Sequence, residues 1–219
     1  LQRAVPIRRV GLYIPGGRAP LFSTVLMLGL PAKIAGCEEI ILCTPCDRIT
    51  GKVNPIVLYT AQLCGISTIY KLGGAQAIAA MAYGTESCRK VQKIAGPGNA
   101  FVTAAKRQVY GYVAIDQVAG PSEIAVLADG SVSARWVAAD LLSQAEHGSG
   151  LEKSLCVCTS REFAEEVRKE VLAQTKTLSR REIIERVINS DGILIVVAKN
   201  LDEGMEVVNR FAPEHFEIM

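Results

Sequence analysis

The first half of the chain alternates four short apolar runs with four stretches of helical periodicity. The runs have the length and composition of buried strands and fall at residues 10–14, 39–44, 68–72 and 91–95. The stretches predict helices over residues 21–35, 55–65, 75–83 and 100–109, with Gly36 as a stop signal. A β-α-β-α order of this kind predicts a mostly parallel sheet covered by helices on both faces.

The second half repeats this alternation after Ala119-Gly120-Pro121-Ser122, which predicts a domain crossing. Strands are predicted over residues 123–128, 153–159 and 192–198. Helices are predicted over residues 132–146, 160–174, 179–189 and 201–209, and residues 215–219 begin a further element. Two helix starts carry the spacing of a capping box, at Thr159/Glu162 and at Ser179/Glu182. The sequence therefore predicts an α/β protein with a boundary near residue 120.

Composition narrows the class of protein without naming a function. A net charge of +2 offers no field of a single sign, so we expect no nucleic-acid and no membrane partner. The longest apolar runs are shorter than the roughly 18 residues that a membrane span needs, and the start of the chain has no signal-peptide pattern. Seven cysteines, an odd number, predict free thiols in a reducing compartment, which we take to be the cytoplasm. A redox role for the CxxC pair Cys43 and Cys46 is the alternative.

Three predicted strand-to-helix turns are rich in glycine, where backbone amides can approach a ligand. They are Gly16-Gly17, Gly73-Gly74 and Gly96-Pro97-Gly98. None completes a GxGxxG fingerprint, because Phe101 stands where the last of those turns would need its third glycine. The turns predict a nucleotide or phosphate crevice without identifying the ligand, and plain turns are the alternative.

The chain has two histidines, and each has a polar neighbour at a chemically useful spacing. Gln144 and His147 are three residues apart near a helix end, with Gly148 as the expected cap, so they can share a face and a metal ion. On spacing alone, a histidine that interacts with the free carbonyls of the helix end is favoured. Glu214 and His215 are adjacent on an extended segment, where side chains point in opposite directions and can serve two proton transfers. An exposed loop pair is the alternative there.

Six segments, in order along nearly the whole chain, resemble the histidinol dehydrogenase family. They are Val10-Gly11-Leu12-Tyr13-Ile14-Pro15-Gly16-Gly17, Gly73-Gly74-Ala75-Gln76-Ala77-Ile78-Ala79, Gly96-Pro97-Gly98-Asn99, Ala119-Gly120-Pro121-Ser122-Glu123, Leu141-Leu142-Ser143-Gln144-Ala145-Glu146-His147-Gly148 and Pro213-Glu214-His215. The resemblance implies a homodimeric enzyme that oxidises L-histidinol to L-histidine through L-histidinal, with NAD as the oxidant and zinc as a bound metal. It also implies two incomplete Rossmann-like domains in an aldehyde-dehydrogenase-like architecture. Residues 1–120 would form the NAD side, and residues 121–219 the zinc and substrate side.

The same resemblance assigns roles to individual residues, and it overturns the helix-end interpretation of Gln144 and His147. The NAD contacts would be Tyr13, Gln76 and Asn99. The substrate contacts would be Ser122, Gln144, His147 and His215, of which Gln144 and His147 would also bind zinc. His215 matches the general base for the hydroxyl proton, a task that suits a neutral imidazole. Glu214 matches the carboxylate that activates water on the aldehyde.

Two features depart from the family pattern. Family members are longer, and the resemblance puts the remaining zinc ligands, an Asp and a His, beyond Met219. We therefore expect these 219 residues alone to bind zinc weakly and to have no meaningful turnover. Residues 148–153 also differ from the Gly-Pro-Asp-Ser continuation that the family suggests.

Two other functions remain as alternatives. One is a different NAD-linked alcohol or aldehyde dehydrogenase on the same scaffold. Its aldehyde dehydrogenase form needs a nucleophilic cysteine, and no cysteine here has a recognisable catalytic setting. The other is a non-catalytic binding or assembly module with the same fold.

Overall fold

The computed structural model describes residues 3–16, 20–147 and 150–219, which form two compact units, Leu1–Gly120 and Pro121–Met219. The strands described in the first unit are β1 Arg9–Tyr13, β2 Glu39–Cys43, β3 Thr68–Tyr70, β4 Lys93–Ala95 and β5 Ala114–Ile115. Its helices are α1 Phe22–Ile34, α2 Pro55–Leu63, α3 Gly74–Tyr83 and α4 Ala100–Val109. The strands lie in the order β3-β2-β1-β4-β5, and every pairing described is parallel. This is the strand order of doubly wound nucleotide-binding sheets.

The central strand β1 is apolar on both faces because helices cover both. Leu12 and Ile14 pack with Val25 of α1 and Val57 of α2 on one side. Tyr13 packs on the other side with the apolar residues of α3 and α4. Helix α1 ends where the sequence predicts, since Gly36 adopts a left-handed conformation with φ +82°.

The second unit is built in the same way around a shorter sheet. Its described elements are β6 Glu123–Ala128, α5 Ala134–Ala145, β7 Lys153–Cys158, α6 Arg161–Thr175, α7 Arg181–Asn189, β8 Ile193–Val197, α8 Leu201–Phe211 and β9 His215–Ile218. In the described part of this unit the strands lie in the order β8-β7-β6-β9 with parallel pairing throughout. The predicted α/β class with mostly parallel sheets is therefore confirmed.

The two faces of the second sheet are covered by different helices. Ile124 and Val126 of β6 point into a cluster with α5, α6 and α7. Ala125 and Leu127 point to the opposite face and pack with Val208 of α8. This division decides which side chains of the edge strand β9 can meet α5.

Both capping predictions are wrong in detail. Ser160, not Thr159, begins α6, because its hydroxyl accepts a hydrogen bond from the amide of Phe163 at 3.2 Å. Helix α7 starts after Arg180 without a side-chain cap, so Ser179 does not have the predicted role. Within the described ranges, no helix has both the length and the apolar character needed to cross a membrane. The predicted glycine turn at Gly17 and the predicted cap at Gly148 lie outside the described residues.

Candidate active site

The strand order of the first unit reverses between β1 and β4, and doubly wound sheets bind ligands at the carboxyl ends of such neighbouring strands. Tyr13 is the last residue of β1, and Gly96 follows the last residue of β4. Gly96 has φ +137°, and a Cβ on it would overlap the carbonyl oxygen of Tyr13. The two strand ends therefore touch through backbone atoms, and only glycine permits that approach.

Tyr13 also connects β1 to the start of α3. Its hydroxyl accepts a hydrogen bond from the amide of Gly74 at 3.0 Å, while its ring is buried. Gln76 lies two residues further into the helix, is exposed, and turns its amide oxygen towards Gly74. The structure therefore places Tyr13 and Gln76 together, at the helix start where a bound anion would meet backbone amides.

Asn99, the third residue predicted to contact NAD, caps α4. Its side-chain oxygen accepts from the amide of Val102 at 3.1 Å, and the residue is exposed. This capping fixes the oxygen and leaves the amide nitrogen of the side chain as a donor. Asn99 is thus at the carboxyl edge of the sheet, in the loop that begins with Gly96.

A cavity of about 740 Å³ adjoins this edge, between the loops that follow β1 and β2. Its volume lies within the usual range for small-molecule sites. Gly16 and Gly73 both lie against the ring of Pro45, so the loops after β1, β2 and β3 meet beside it. Arg48 and Lys52 lie on one wall together with the carboxylate of Asp47, so this wall keeps a net positive charge. The glycine turns predict a crevice at this edge, but the sequence does not show that Pro45, Arg48 and Lys52 line it, because these residues lie in loops without a periodic pattern.

In the second unit, the predicted substrate and zinc residues lie at the amino edge of the sheet. Ser122 immediately precedes β6, and His215 is the first residue of β9, with Glu214 just before it. Helix α5 follows β6 and returns across the sheet, so its last turn, with Gln144 and His147, reaches the same edge. Elements far apart in sequence are thereby brought to one edge.

The pairing register shows which of these side chains share a face. Ile124 pairs with His215 and Val126 with Glu217, and partners on parallel strands point to the same side. That side carries α5, so His215 and Glu217 both face this helix. The carboxyl groups of Asp140 on α5 and Glu217 on β9 lie close enough that each affects the pKa of the other.

This contact sets the level of Gln144 relative to His215. Four residues of helix from Asp140 to Gln144 advance about 6 Å towards the amino edge. Two residues of strand from Glu217 to His215 advance about 6.6 Å in the same direction. Ideal helix and strand geometry therefore places Gln144 and His215 at about the same level of the sheet.

Gln144 is buried, and its side-chain nitrogen has no hydrogen-bond partner among the described residues. One oxygen of Glu217 is in the same condition. Buried polar groups are nearly always satisfied, so the unpartnered nitrogen of Gln144 at the end of α5 fits a site for a polar ligand. The nitrogen and oxygen of a glutamine amide are interchangeable in assignment, so this amide can present either a donor or an acceptor.

His147 lies just past the end of α5, with Nδ1 3.1 Å from the carbonyl oxygen of Ser143. This is the contact that the helix-end interpretation predicts. A neutral imidazole that donates from Nδ1 keeps the lone pair on Nε2, which is the usual arrangement of a metal-binding histidine. The exposed His147 is therefore suited to both roles.

Glu214 and His215 do not diverge as a regular strand would require. Oε1 of Glu214 is 4.0 Å from Nε2 of His215, and both side chains are more than half exposed. Glu214 stands in the bend before β9, where strand alternation has not yet begun, so the prediction of opposite directions is wrong. The two groups can act on one ligand from the same side.

The chemistry of the donors supports a partial metal site. Gln144 and His147 supply one oxygen or nitrogen donor each, whereas the described residues contain no group of three or more His, Cys, Asp or Glu side chains that could hold a metal. A four-coordinate zinc site needs further ligands.

The strand orders and the polar strand ends put the chain in the class of doubly wound α/β proteins. The family model for histidinol dehydrogenase matches residues 1–219. Histidinol dehydrogenase of Bacteroides fragilis is 57% identical over 218 residues, which is 99% of this chain and 50% of that protein. The crystal structure of histidinol dehydrogenase from Elizabethkingia anophelis superposes with a TM-score of 0.92 at 47% identity, over 98% of this chain and 49% of that one. The chain belongs to the histidinol dehydrogenase family.

The chain spans about half the length of the curated relatives that it matches. A propionaldehyde dehydrogenase from Clostridium phytofermentans is similar in structure, with a TM-score of 0.54 at 11% identity over 98% of this chain and 66% of that one. This likeness concerns the fold alone, and it agrees with the predicted aldehyde-dehydrogenase-like architecture.

Proposed function

We propose that the protein containing this chain catalyses the NAD-dependent oxidation of L-histidinol to L-histidine through L-histidinal. The chain would contribute the NAD crevice of residues 1–120 and part of the substrate and zinc site of residues 121–219. The observation that carries the proposal is the arrangement of Ser122, Gln144, His147, Glu214 and His215 along one edge of the second sheet. The proposed enzyme is a cytoplasmic homodimer.

NAD is assigned to the first unit because Tyr13, Gln76 and Asn99 all lie at the carboxyl edge of its sheet. Tyr13 is held by Gly74, and Asn99 by its capping bond, so both would meet the cofactor in a fixed orientation. A nicotinamide bound there would accept the hydride of the first oxidation, and a second NAD, bound in its place, would accept the hydride of the second.

Zinc is assigned to Gln144 and His147, with its remaining ligands outside these 219 residues. Bound zinc would supply a fixed point for the imidazole and amine of the substrate, which is orientation rather than water activation. The side-chain nitrogen of buried Gln144 has no hydrogen-bond partner among the described residues, and His147 keeps a lone pair on Nε2 when Nδ1 donates to Ser143, and both features fit this assignment.

The proton transfers are assigned to the two groups at the start of β9. His215 takes the proton of the substrate hydroxyl while hydride leaves the carbon that bears this hydroxyl, which converts the alcohol to the aldehyde. Glu214 then takes a proton from water as the water adds to the aldehyde carbon, and the resulting hydrate loses the second hydride to become the acid. Their separation of 4.0 Å allows both groups to serve one reacting carbon.

The test replaces each group in the intact protein and follows the two half-reactions separately. His215→Asn should lower the turnover of histidinol by about 10²-fold or more. Glu214→Gln should spare the first hydride transfer and slow the oxidation of added histidinal. Glu206→Gln, on the exposed side of α8, is the matched control and should leave both half-reactions unchanged. Unchanged histidinol turnover in His215→Asn would refute the assignment.

A thiol-dependent aldehyde dehydrogenase on the same scaffold is the alternative, and the seven cysteines argue against it. All are free, but only Cys37 and Cys46 are even partly accessible. Burial raises the pKa of Cys43 to about 12, which removes the thiolate that a nucleophile needs. The hydrogen bond with Cys156 lowers the pKa of Cys158, but this thiol is fully buried and a substrate cannot reach it. Alkylation of a Cys46→Ser variant, in which no adduct can form on the cavity wall, should therefore leave activity intact, whereas complete loss would favour the alternative.

A further inference from the structure

A buried ion pair in the first unit is hydrogen-bonded to the backbone of Gly96. Lys106 of α4 is only 3% exposed, and its Nζ donates to the carbonyl oxygen of Gly96 at 3.0 Å while pairing with Asp116 Oδ1. The other oxygen of Asp116 accepts from the amide of Gly96 at 2.7 Å. Both backbone polar groups of one loop residue are thus bound by a lysine and an aspartate.

Stability alone does not explain this pair. Moving a cation out of water is costly, and buried ion pairs can often be replaced by apolar residues without loss of stability. Lys106 lies on the buried side of α4 with Val102 and Val109, where an apolar side chain would pack readily. What an apolar residue would not supply is a donor to the carbonyl of Gly96.

Gly96 lies where the strand order of the first sheet reverses, between β1 and β4. Gly96 lies against the backbone of Tyr13 and opens the loop that ends at Asn99. Its φ of +137° excludes regular strand pairing. The ion pair therefore makes the hydrogen bonds to the amide and the carbonyl of Gly96 that a neighbouring strand would otherwise make. A shift of this loop would move Asn99 relative to Tyr13.

We propose that Lys106 and Asp116 are positioning residues for the cofactor, holding the loop of residues 96–99 in the conformation that NAD requires. The inference rests on the proposed function, because it presumes that NAD occupies the crevice beside Tyr13. Neither residue touches the reacting atoms, and they act only through the loop.

The experiment compares Lys106→Met with Arg107→Met in the intact protein. Arg107 is the next residue of α4, exposed and without a described side-chain partner. Its substitution by Met therefore removes one positive charge from the same helix without touching the loop. Calorimetric titration should show NAD binding weakened about tenfold or more in Lys106→Met, as expected for a misplaced contact. Histidinol binding should stay within twofold, and the KM for NAD should rise far more than kcat falls. Arg107→Met should match the wild type.

Two outcomes would overturn the inference. One is a folded Lys106→Met protein, checked by circular dichroism, whose NAD affinity stays within twofold of wild type. The other is equal weakening of NAD and histidinol binding, which would indicate a general structural role. If the wild type itself binds no NAD, the proposed function fails instead, and the two failures are thereby distinguished.

A second variant and a second measurement apply if Lys106→Met does not fold. Asp116→Asn keeps the size of the side chain but cannot accept from Gly96 and Lys106 together, so it should weaken NAD binding in the same selective way. Hydrogen exchange in the wild-type protein should show the amide of Gly96 protected before NAD is added. Exchange as fast as in an open loop would show that Asp116 does not hold this amide.

Discussion

Two carboxyl groups in the second unit share one partly buried environment. Burial raises the pKa of Asp140, and burial together with the charge of Asp140 raises the pKa of Glu217, while the nearby His215 opposes that rise. A carboxyl whose folded pKa is raised contributes its stability below its unfolded pKa of about 4.3 and loses it as the pH rises through the folded value. The pair therefore makes the second unit less stable towards neutral pH.

Glu217→Gln tests this sign. The amide keeps the shape and can donate to Asp140, but it cannot ionise, so the variant should gain stability over the wild type as the pH rises from about 4 to about 8. Urea unfolding at both ends of that range measures the difference, with Glu206→Gln as the exposed control. A constant difference at all pH values would contradict the raised pKa.

Gly96→Ala tests the contact between the ends of β1 and β4. The substitution places a side chain at φ +137° and drives a Cβ into the carbonyl of Tyr13, so we expect a loss of about 2 kcal/mol or more in the free energy of unfolding. Gly111→Ala, with φ +91° and no atom within 4 Å, measures the conformational strain alone. Gly120→Ala, with no neighbour and no positive φ, should be neutral.

The order of these three variants in urea unfolding is the result that matters. Gly96→Ala should be the least stable, Gly111→Ala intermediate and Gly120→Ala close to wild type. Equal losses at Gly96 and Gly111 would mean that the strand ends do not touch.

At this scale the sequence revealed residues that stand beside glycine turns or that carry a rare chemistry. Tyr13 and His215 were found in this way with the help of the family resemblance. Lys106 and Glu217 were not, because a lysine in a helix and a glutamate in a strand normally face water. The packing of α4 buries Lys106, and the pairing register of β9 turns Glu217 towards α5. Their roles follow from tertiary contacts that no local pattern contains.

At the scale of elements, periodicity located the long helices and strands well and the short ones poorly. Strand β5 has two residues, too few for any alternation to be visible, and it exists because β4 offers it an edge. Strand β9 follows a residue with left-handed conformation, Ala212 at φ +53°, which turns the chain back onto the sheet. The capping errors have a similar cause, since Thr159 and Ser160 are equally good candidates in sequence.

Substitution at the start of α6 separates those two candidates. Ser160→Ala removes the acceptor for the amide of Phe163 and should cost about 1 kcal/mol of stability. Thr159→Ala should cost clearly less, because the hydroxyl of Thr159 makes only a 3.5 Å contact with the carbonyl of Asp129. Thermal and urea unfolding of the two variants measure the difference. A greater loss for Thr159→Ala would restore the capping box that the sequence suggested.

At the scale of the molecule, the two units share one strand order but use opposite edges of their sheets. The first presents Tyr13, Gln76 and Asn99 at its carboxyl edge, as doubly wound folds usually do. The second presents Gln144 and His215 at its amino edge, where the end of α5 meets the start of β9. Under the proposed function, a repeated fold would support two kinds of site, and the difference would be set by which ends of its elements carry polar side chains.

This division predicts that a polypeptide of these 219 residues keeps one site better than the other. The residues assigned to NAD and the Lys106–Asp116 ion pair all lie within residues 1–120, so measurable NAD binding is expected. Zinc binding should be weak and turnover absent, because the described residues offer two donors where a stable zinc site uses four. Calorimetry with each ligand and an assay of NADH formation measure the three quantities, with the full-length protein as the positive control. Tight one-to-one zinc binding by the 219-residue polypeptide would show that Gln144 and His147 have further partners within these residues, and the proposed division of the site would then have to be abandoned.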